Sequence, residues 1–573
     1  MQESKKTNYL TGAAILAAAS IFVKIIGAIY KIPLFQDGVL GDEGTGDFQV
    51  TYSVYSLILT ISTAGIPAAL SRIISSANAK GDKALVKKYF SAAMPGFFII
   101  GLAAMLVMFF FAEAFAEAMN NSMAALGIRI LSPAVFFACI ISVYRGYAQG
   151  FQNMLPTAIS QIVEVLSKTI FGIAIALWFV SLGYESHVVS AGAIVGVTIG
   201  LGLCIPLLYW QKRKFDKKAS YAREADKTTL ASKTSSVEVP PLSSNTSSVD
   251  EPPLATGKQA RINLFGQILK VSIPITLTAA FMSIMIVIDN SIVLGRLQDA
   301  LGVSEAGARA LFGIYSRALT LYNLPPSILV PVSVSIIPAI AAAIAVKNNV
   351  EAKSIMQSSI KLVNLIAMPA AIGLMVLATP ILTALYDDQR EITSQILVIL
   401  GGASFFVCLQ YITTAILQAN GYEKISLITF PIGAALKITL TWFLTGNPNI
   451  GILASPIGTL ACFSTISVLN VIFIMILLKD SRPKFTKIFL GPAICSLIMA
   501  GIAFGVYELI SRFMPGVISS VRFEAVAFLS AAILVGVIAY AILIVITRTV
   551  TTEDVKLLPK GEKIGKLLRI KDG

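Results

Sequence analysis

The sequence predicts an all-α polytopic membrane protein with fourteen transmembrane helices: two parallel six-helix lobes followed by two extra C-terminal helices. Three observations carry this. Of 573 residues, 56% are hydrophobic and only 13% charged, with a mean hydropathy of +0.79, far outside the range of soluble globular chains. Apolar runs of about 20 residues or more, the length that spans a bilayer as a helix, recur along the whole chain. Finally, the chain echoes itself: Gly65-Ile66-Pro67-Ala68 returns as Ile336-Ile337-Pro338-Ala339 and Gly150-Phe151 as Gly421-Tyr422, both at an offset of 271.

In order, residues 1–210 hold spans at 10–35, 50–74, 89–112, 123–147, 155–180 and 188–210. Residues 263–480 hold spans at 267–296, 310–342, 358–386, 393–419, 425–446 and 450–478, and residues 481–547 the last two, at 485–511 and 524–547. The connection after span one carries Asp37, Asp42, Glu43 and Asp47 and no base, whereas the next carries Arg72, Lys80, Lys83, Lys87 and Lys88. That alternation continues to Lys479, Arg482, Lys484 and Lys487 and to the basic tail 548–573, so the positive-inside rule puts both termini in the cytoplasm. The net charge of +14 is read the same way, with no nucleic-acid partner.

Residues 211–262 form the exception. They open with Lys212, Arg213, Lys214, Lys217 and Lys218, then become a Ser-, Thr- and Pro-rich tract in which SSVEVPPL (235–242) nearly repeats as SSVDEPPL (247–254). Such a composition cannot bury a core, and a disordered cytoplasmic linker is favoured over a docking motif. Six spans is an even number, so the two copies it joins keep the same orientation, a transporter architecture with its substrate site between the lobes.

An ionisable residue within a span is costly enough to suggest function. Lys24 and Lys31 interrupt the first span two helical turns apart, so both point the same way. Lys31, near the span end, has two equal readings: anion ligand, or snorkelling to the headgroups. Arg129, Lys168, Arg317 and Lys437 are the other candidate anion ligands, since Lys and Arg suit phosphates. Glu164 and Lys168, four apart on one helix, can neutralise each other, a reading at least as strong as a ligand role for Lys168 or a counter-ion or coupling role for Glu164. Arg145 and Arg296 fall near span ends and read as interfacial. Asp289, the most conspicuous unpaired carboxylate, reads as counter-ion to a neighbouring base ahead of a coupling site for a monovalent cation or proton. The prolines of span eight, Pro325, Pro326, Pro331 and Pro338, and Pro67 of span two mark places where helices can bend.

The five cysteines, Cys139, Cys204, Cys408, Cys462 and Cys495, have no metal-ligand or redox spacing, and His187 is the only histidine. Neither a metal, a cofactor nor a catalytic constellation is expected, so an embedded glycan-processing enzyme is a poor fit.

Lys24 followed by Ile25-Ile26-Gly27, TAGIPAALSR (63–72), IDNSIVLGRL (288–297) and YSRALTLYNLPPSILVPVSVSIIPAI (315–340) resemble the polysaccharide-transporter branch of the multidrug/oligosaccharidyl-lipid/polysaccharide flippase superfamily, and within it the Gram-positive MurJ-type lipid II flippases and the stage V sporulation protein B group. The resemblance implies a V-shaped, two-lobed alternating-access flippase in the bacterial cytoplasmic membrane, acting as a monomer on an undecaprenyl-pyrophosphate-linked oligosaccharide. Lipid II is the first substrate implied; teichoic-acid, capsule and spore-cortex intermediates share its chemistry. It also implies that spans thirteen and fourteen form a groove for the lipid tail, and that Lys24, Lys31 and Arg317 meet the pyrophosphate. The family's Gram-negative members carry arginines on spans one, two and eight. Here span one has lysines, and no base lies between Leu57 and Gly65. A cation-coupled drug exporter of the same superfamily would be expected to stop at twelve spans and to line its cavity with carboxylates.

Overall fold

The computed structural model describes residues 2–80, 82–233, 258–345, 348–478, 485–513, 521–547 and 549, among which nineteen α-helices and no strand occur. The first half comprises α1 (Gln2–Ile29), α2 (Lys31–Leu34), α3 (Gly41–Thr63), α4 (Ile66–Ala79), α5 (Lys83–Phe110), α6 (Ala112–Ala118), α7 (Ala124–Gly150), α8 (Leu155–Ser181) and α9 (Ser186–Lys233). The second comprises α10 (Lys258–Asp299), α11 (Glu305–Tyr322), α12 (Leu324–Ala345), α13 (Asn349–Val376), α14 (Ala378–Tyr386), α15 (Glu391–Ala419), α16 (Ser426–Thr445) and α17 (Ala454–Leu477). A last pair, α18 (Phe485–Phe513) and α19 (Val521–Ile546), follows.

Twelve helical segments among the described residues are long and apolar enough to cross a membrane. The two expected spans outside that set are both broken. Span one divides at Tyr30 into α1 and α2. Span eight divides at Asn323, because Pro325 and Pro326 lack the N–H groups that would continue α11 but fit the first turn of α12, where those donors have no partner anyway. Elsewhere local chemistry starts the helices: Asp82 accepts the Leu85 N–H at 2.8 Å to open α5, and Ser304 and Asn348 do the same for α11 and α13. The expected linker is shorter than its composition suggested. α9 continues to Lys233 and α10 begins at Lys258, a helix-competent run of Lys, Ala, Glu and Arg prevailing over polarity. Residues 234–257, with both repeated motifs, and nearly all of the basic tail lie outside the described residues.

Helices α4 to α9 pack mainly on one another, with α1 along α8; α12, α13 and α15 to α17 do likewise, and α18 and α19 lie on α13 and α14. The halves meet through α3, which packs on α10 and α11, and through α1 on α12 and α5 on α10. The connections bearing Asp37, Asp42 and Asp388 lie at one end of the bundle, here called the acidic end; the opposite one is the basic end. At the acidic end a single apolar core joins both halves, running from Leu34, Phe48 and Ile128 to Phe312, Leu382 and Leu397. Toward the basic end it splits, with Ile360, Ile412 and Ile474 in one cluster and Leu70, Val86 and Ile268 in another. Large exposed side chains such as Ile170, Phe443, Leu497 and Leu534 suit a protein solvated by lipid, so cohesion rests on close packing and interhelical hydrogen bonds.

Candidate functional site

The α1–α8 seam gathers unpaired positive charge. Ser20 Oγ lies 3.5 Å from Gln161 Oε1, and a Cβ on Gly27 would come within 3.8 Å of Lys168 Nζ. Ser20, Lys24 and Gly27 recur at helical spacing, so Lys24 shares the α1 face that meets Gln161, Glu164 and Lys168 on α8. Lys168 stands over the buried Tyr30 ring at 5.2 Å, and Lys31 over Phe35 and Tyr52 at 5.6 and 5.8 Å. Lys31 and Lys168 are close enough to repel each other. None of these three lysines has a carboxylate partner among the described residues. Of the two readings of Glu164 and Lys168, the internal pair is not the one seen. Glu164 instead accepts from Arg145 Nη2 at 2.9 Å, while Arg145 Nε holds Ser160. The planar guanidinium takes both acceptors at once, which an ammonium on the same helix would not do. Four bases therefore face one acid.

The second half does the opposite. Lys437 and Asp289 form a buried ion pair at 2.9 Å, and Thr441 and Ser455 donate to the same carboxylate at 3.0 and 3.1 Å. This matches the counter-ion reading of Asp289 and takes Lys437 out of the set of free cations. The pair lines a cavity of about 270 Å³ with Asn290, Tyr315, Tyr411 and, from the first half, Gln49. Gln49 and Tyr52 are about one turn apart on α3, which places the neutral chamber next to the cationic seam.

Arg317 departs furthest from expectation. It is fully buried at the acidic end, within 2.5 Å of Asp37, 3.0 Å of Asp42 and 3.5 Å of Asp388, with its guanidinium over the Tyr386 ring. Arg390 joins Asp42 to Asp388, and Arg309 makes a two-pronged contact with Asp47 at 2.8 Å on both arms. Asp37, Asp42 and Asp47 belong to the first half and the three arginines to the second, so the cluster locks the halves together. Burial works against the Asp388 carboxylate, but hydrogen bonds from Arg390 outweigh it and hold the group below the usual carboxylate range. Helices α3 and α11 touch there backbone to backbone: a Cβ on Gly46 would strike the Arg309 carbonyl, and one on Gly313 the Asp42 carbonyl. Toward the basic end the contacts between halves include two neutral ones, Tyr89 with Gln267 and the Gly65 N–H with Thr276.

Arg129 also sits elsewhere. It pairs with the exposed Glu113 at 2.9 Å, over Phe109, on the outside of the α5–α6–α7 corner. Of the six expected anion ligands, Lys24, Lys31 and Lys168 come together, whereas Lys437, Arg317 and Arg129 each have acidic partners. The lock went unrecognised in the sequence because Asp37 to Asp47 served only as orientation markers; a run of acids facing Arg309, Arg317 and Arg390 at matching span ends was the available signal.

Two family models, both described as polysaccharide biosynthesis protein, match residues 9–228 and 259–393. The lipid II flippase MurJ of Bacillus subtilis is 25% identical over 515 residues, 86% of each chain. The stage V sporulation protein B of the same organism is 25% identical over 573 aligned positions, 97% of this chain and 98% of its own. A solved structure of a lipid II flippase MurJ in an inward closed conformation shares the fold, with a TM-score of 0.62 at 17% identity over 93% of this chain and 98% of that one. The chain is thus a multi-pass α-helical membrane protein that matches polysaccharide biosynthesis protein models over residues 9–228 and 259–393, is similar over most of its length to MurJ and to the stage V sporulation protein B, and shares the fold of the solved MurJ.

Proposed function

We propose that this chain carries a polyprenyl-pyrophosphate-linked saccharide, lipid II in the first instance, across the cytoplasmic membrane by alternating access. The observation that carries the reading is the α1–α8 seam, where Lys24, Lys31 and Lys168 lack carboxylate partners among the described residues, at a depth where unpaired charge is expensive. A pyrophosphate supplies the missing negative charge. Lysines bind it as point charges, so the headgroup is held without the fixed geometry that an arginine fork would impose, as suits a ligand that must leave again.

The acidic end is taken as the outer face, following the positive-inside rule, with both termini and the linker in the cytoplasm. The division into two lobes is supported by the packing of α4 to α9 on one another and of α15 with α13 and α17, while α10 crosses to pack on α3, α4 and α5. Substrate then arrives from the basic end with the Arg317 cluster closed, and leaves when that cluster parts. The proposed drive is the membrane potential acting on the cationic seam, at about 2.3 kcal/mol per charge per 100 mV. In this reading Lys437, 2.9 Å away, is the partner of Asp289.

A second reading, transport of another polyprenyl-linked polysaccharide, is favoured by the equal identity to the stage V sporulation protein B. One experiment separates them: this chain replaces the essential lipid II flippase of a host cell, and outer-leaflet lipid II is measured. Growth with exposed lipid II supports the first reading; failure to expose it selects the second.

A further inference from the structure

We propose that Arg522 is a positioning residue through which the C-terminal pair α18–α19 helps hold the acidic end shut. Arg522 lies in the first turn of α19 and spends its guanidinium on three acceptors from two other segments. Nε donates to the Ala384 carbonyl at 3.3 Å and Nη2 to the Leu385 carbonyl at 3.1 Å, both in the last turn of α14; Nη1 donates to Gln36 Oε1 at 3.0 Å. The α14 carbonyls need such a donor. The chain turns left-handed at Asp387 (φ 57°), and the Asp387 and Asp388 N–H groups go back to Thr383 and Leu382, leaving Ala384 and Leu385 at a negative helix end that favours a cation.

Each anchored residue adjoins a component of the lock. Gln36 precedes Asp37, which binds Arg317. Leu385 precedes Tyr386, whose ring lies under Arg317, and Asp388 follows two residues later. Arg317 and Arg522 thus grip the same two segments, one from each half, and α19 packs along α14 behind them. The appended pair is therefore a strut for the closed acidic end, separate from any part it plays toward a lipid tail.

The inference rests on the alternating-access part of the proposed function and on nothing about the substrate. Ser53, 5% exposed and bonded across the halves by Asn290, is the reporter. Ser53→Cys is labelled with a membrane-impermeant maleimide in the full-length protein, against the parent chain, whose five cysteines are buried. Arg522→Ala is expected to raise the labelling rate about tenfold, the equivalent of one lost charged hydrogen bond. Arg522→Lys, which cannot span three acceptors, should fall between. Gln36→Ala keeps α14 capped, should give a smaller rise, and carries the test if Arg522→Ala does not accumulate. Rates in both Arg522→Ala and Gln36→Ala equal to that of the Ser53→Cys parent overturn the strut alone. No labelling in any variant overturns the strut together with alternating access.

Discussion

Replacing Lys437 by Met tests the charge bookkeeping of the second half. The substitution keeps an unbranched side chain one atom shorter and removes the ammonium 2.9 Å from Asp289. It leaves a carboxylate that is 1% exposed, still bonded by the Thr441 and Ser455 hydroxyls. Breaking a buried ion pair from one side costs about 3–5 kcal/mol. The two hydroxyl donors and the adjoining cavity soften that penalty, so the lower end, about 3 kcal/mol, is expected. At about 2–4 °C per kcal/mol for a unit of 150–250 residues, roughly the size of one half, the melting temperature should fall by about 6–12 °C. The paired variant Asp289→Asn with Lys437→Met leaves no buried charge and should recover most of the loss. Thermal unfolding of the purified protein in detergent, followed through a complete double-mutant cycle, measures each term. A Lys437→Met protein as stable as the parent, or a double variant no better than the single, would refute the pairing.

The lock makes two further predictions, and the Arg129 pair a third. Gly313→Ala should force α3 away from α11, because its Cβ would collide with the Asp42 carbonyl, and should raise Ser53→Cys labelling while an alanine at Gly266, which meets nothing within 4 Å, does not. The Asp388 carboxyl is depressed in the closed state, so its contribution is complete above the ordinary carboxylate range near pH 4 and is lost as pH falls through the depressed value; Ser53→Cys labelling, divided at each pH by that of a fully exposed cysteine because the thiolate is the reacting form, should be flat from about pH 5 to 8 and rise only in stronger acid. Arg129→Ala breaks an ion pair whose side chains are 38% and 71% exposed, and should change stability by less than about 1 kcal/mol and leave transport intact in the replacement strain.

How much of this was legible in the sequence follows from the range over which each interaction acts. Spans were legible because bilayer thickness fixes their length, and Lys24 and Lys31 stood out because lipid tolerates few charges. The break at Asn323 was marked by Pro325 and Pro326, though only as a place to bend. Pairings across long separations were not legible. Glu164 sits four residues from Lys168, yet its partner Arg145 comes from another helix. Arg317 looked like a cavity cation because Asp37 and Asp42, about 280 residues away, meet it only once α3 and α11 pack. Asp289 lacked a neighbour in sequence and found one in Lys437, for the same reason.

The central claim is that Lys24, Lys31 and Lys168 together hold the substrate's pyrophosphate. Binding of undecaprenyl pyrophosphate to the purified protein in nanodiscs tests it most directly. Replacing any one of these lysines by alanine should weaken binding by about tenfold or more, the scale of one charge-assisted contact, while Arg129→Ala leaves it unchanged. Undiminished affinity in all three lysine variants would contradict the account.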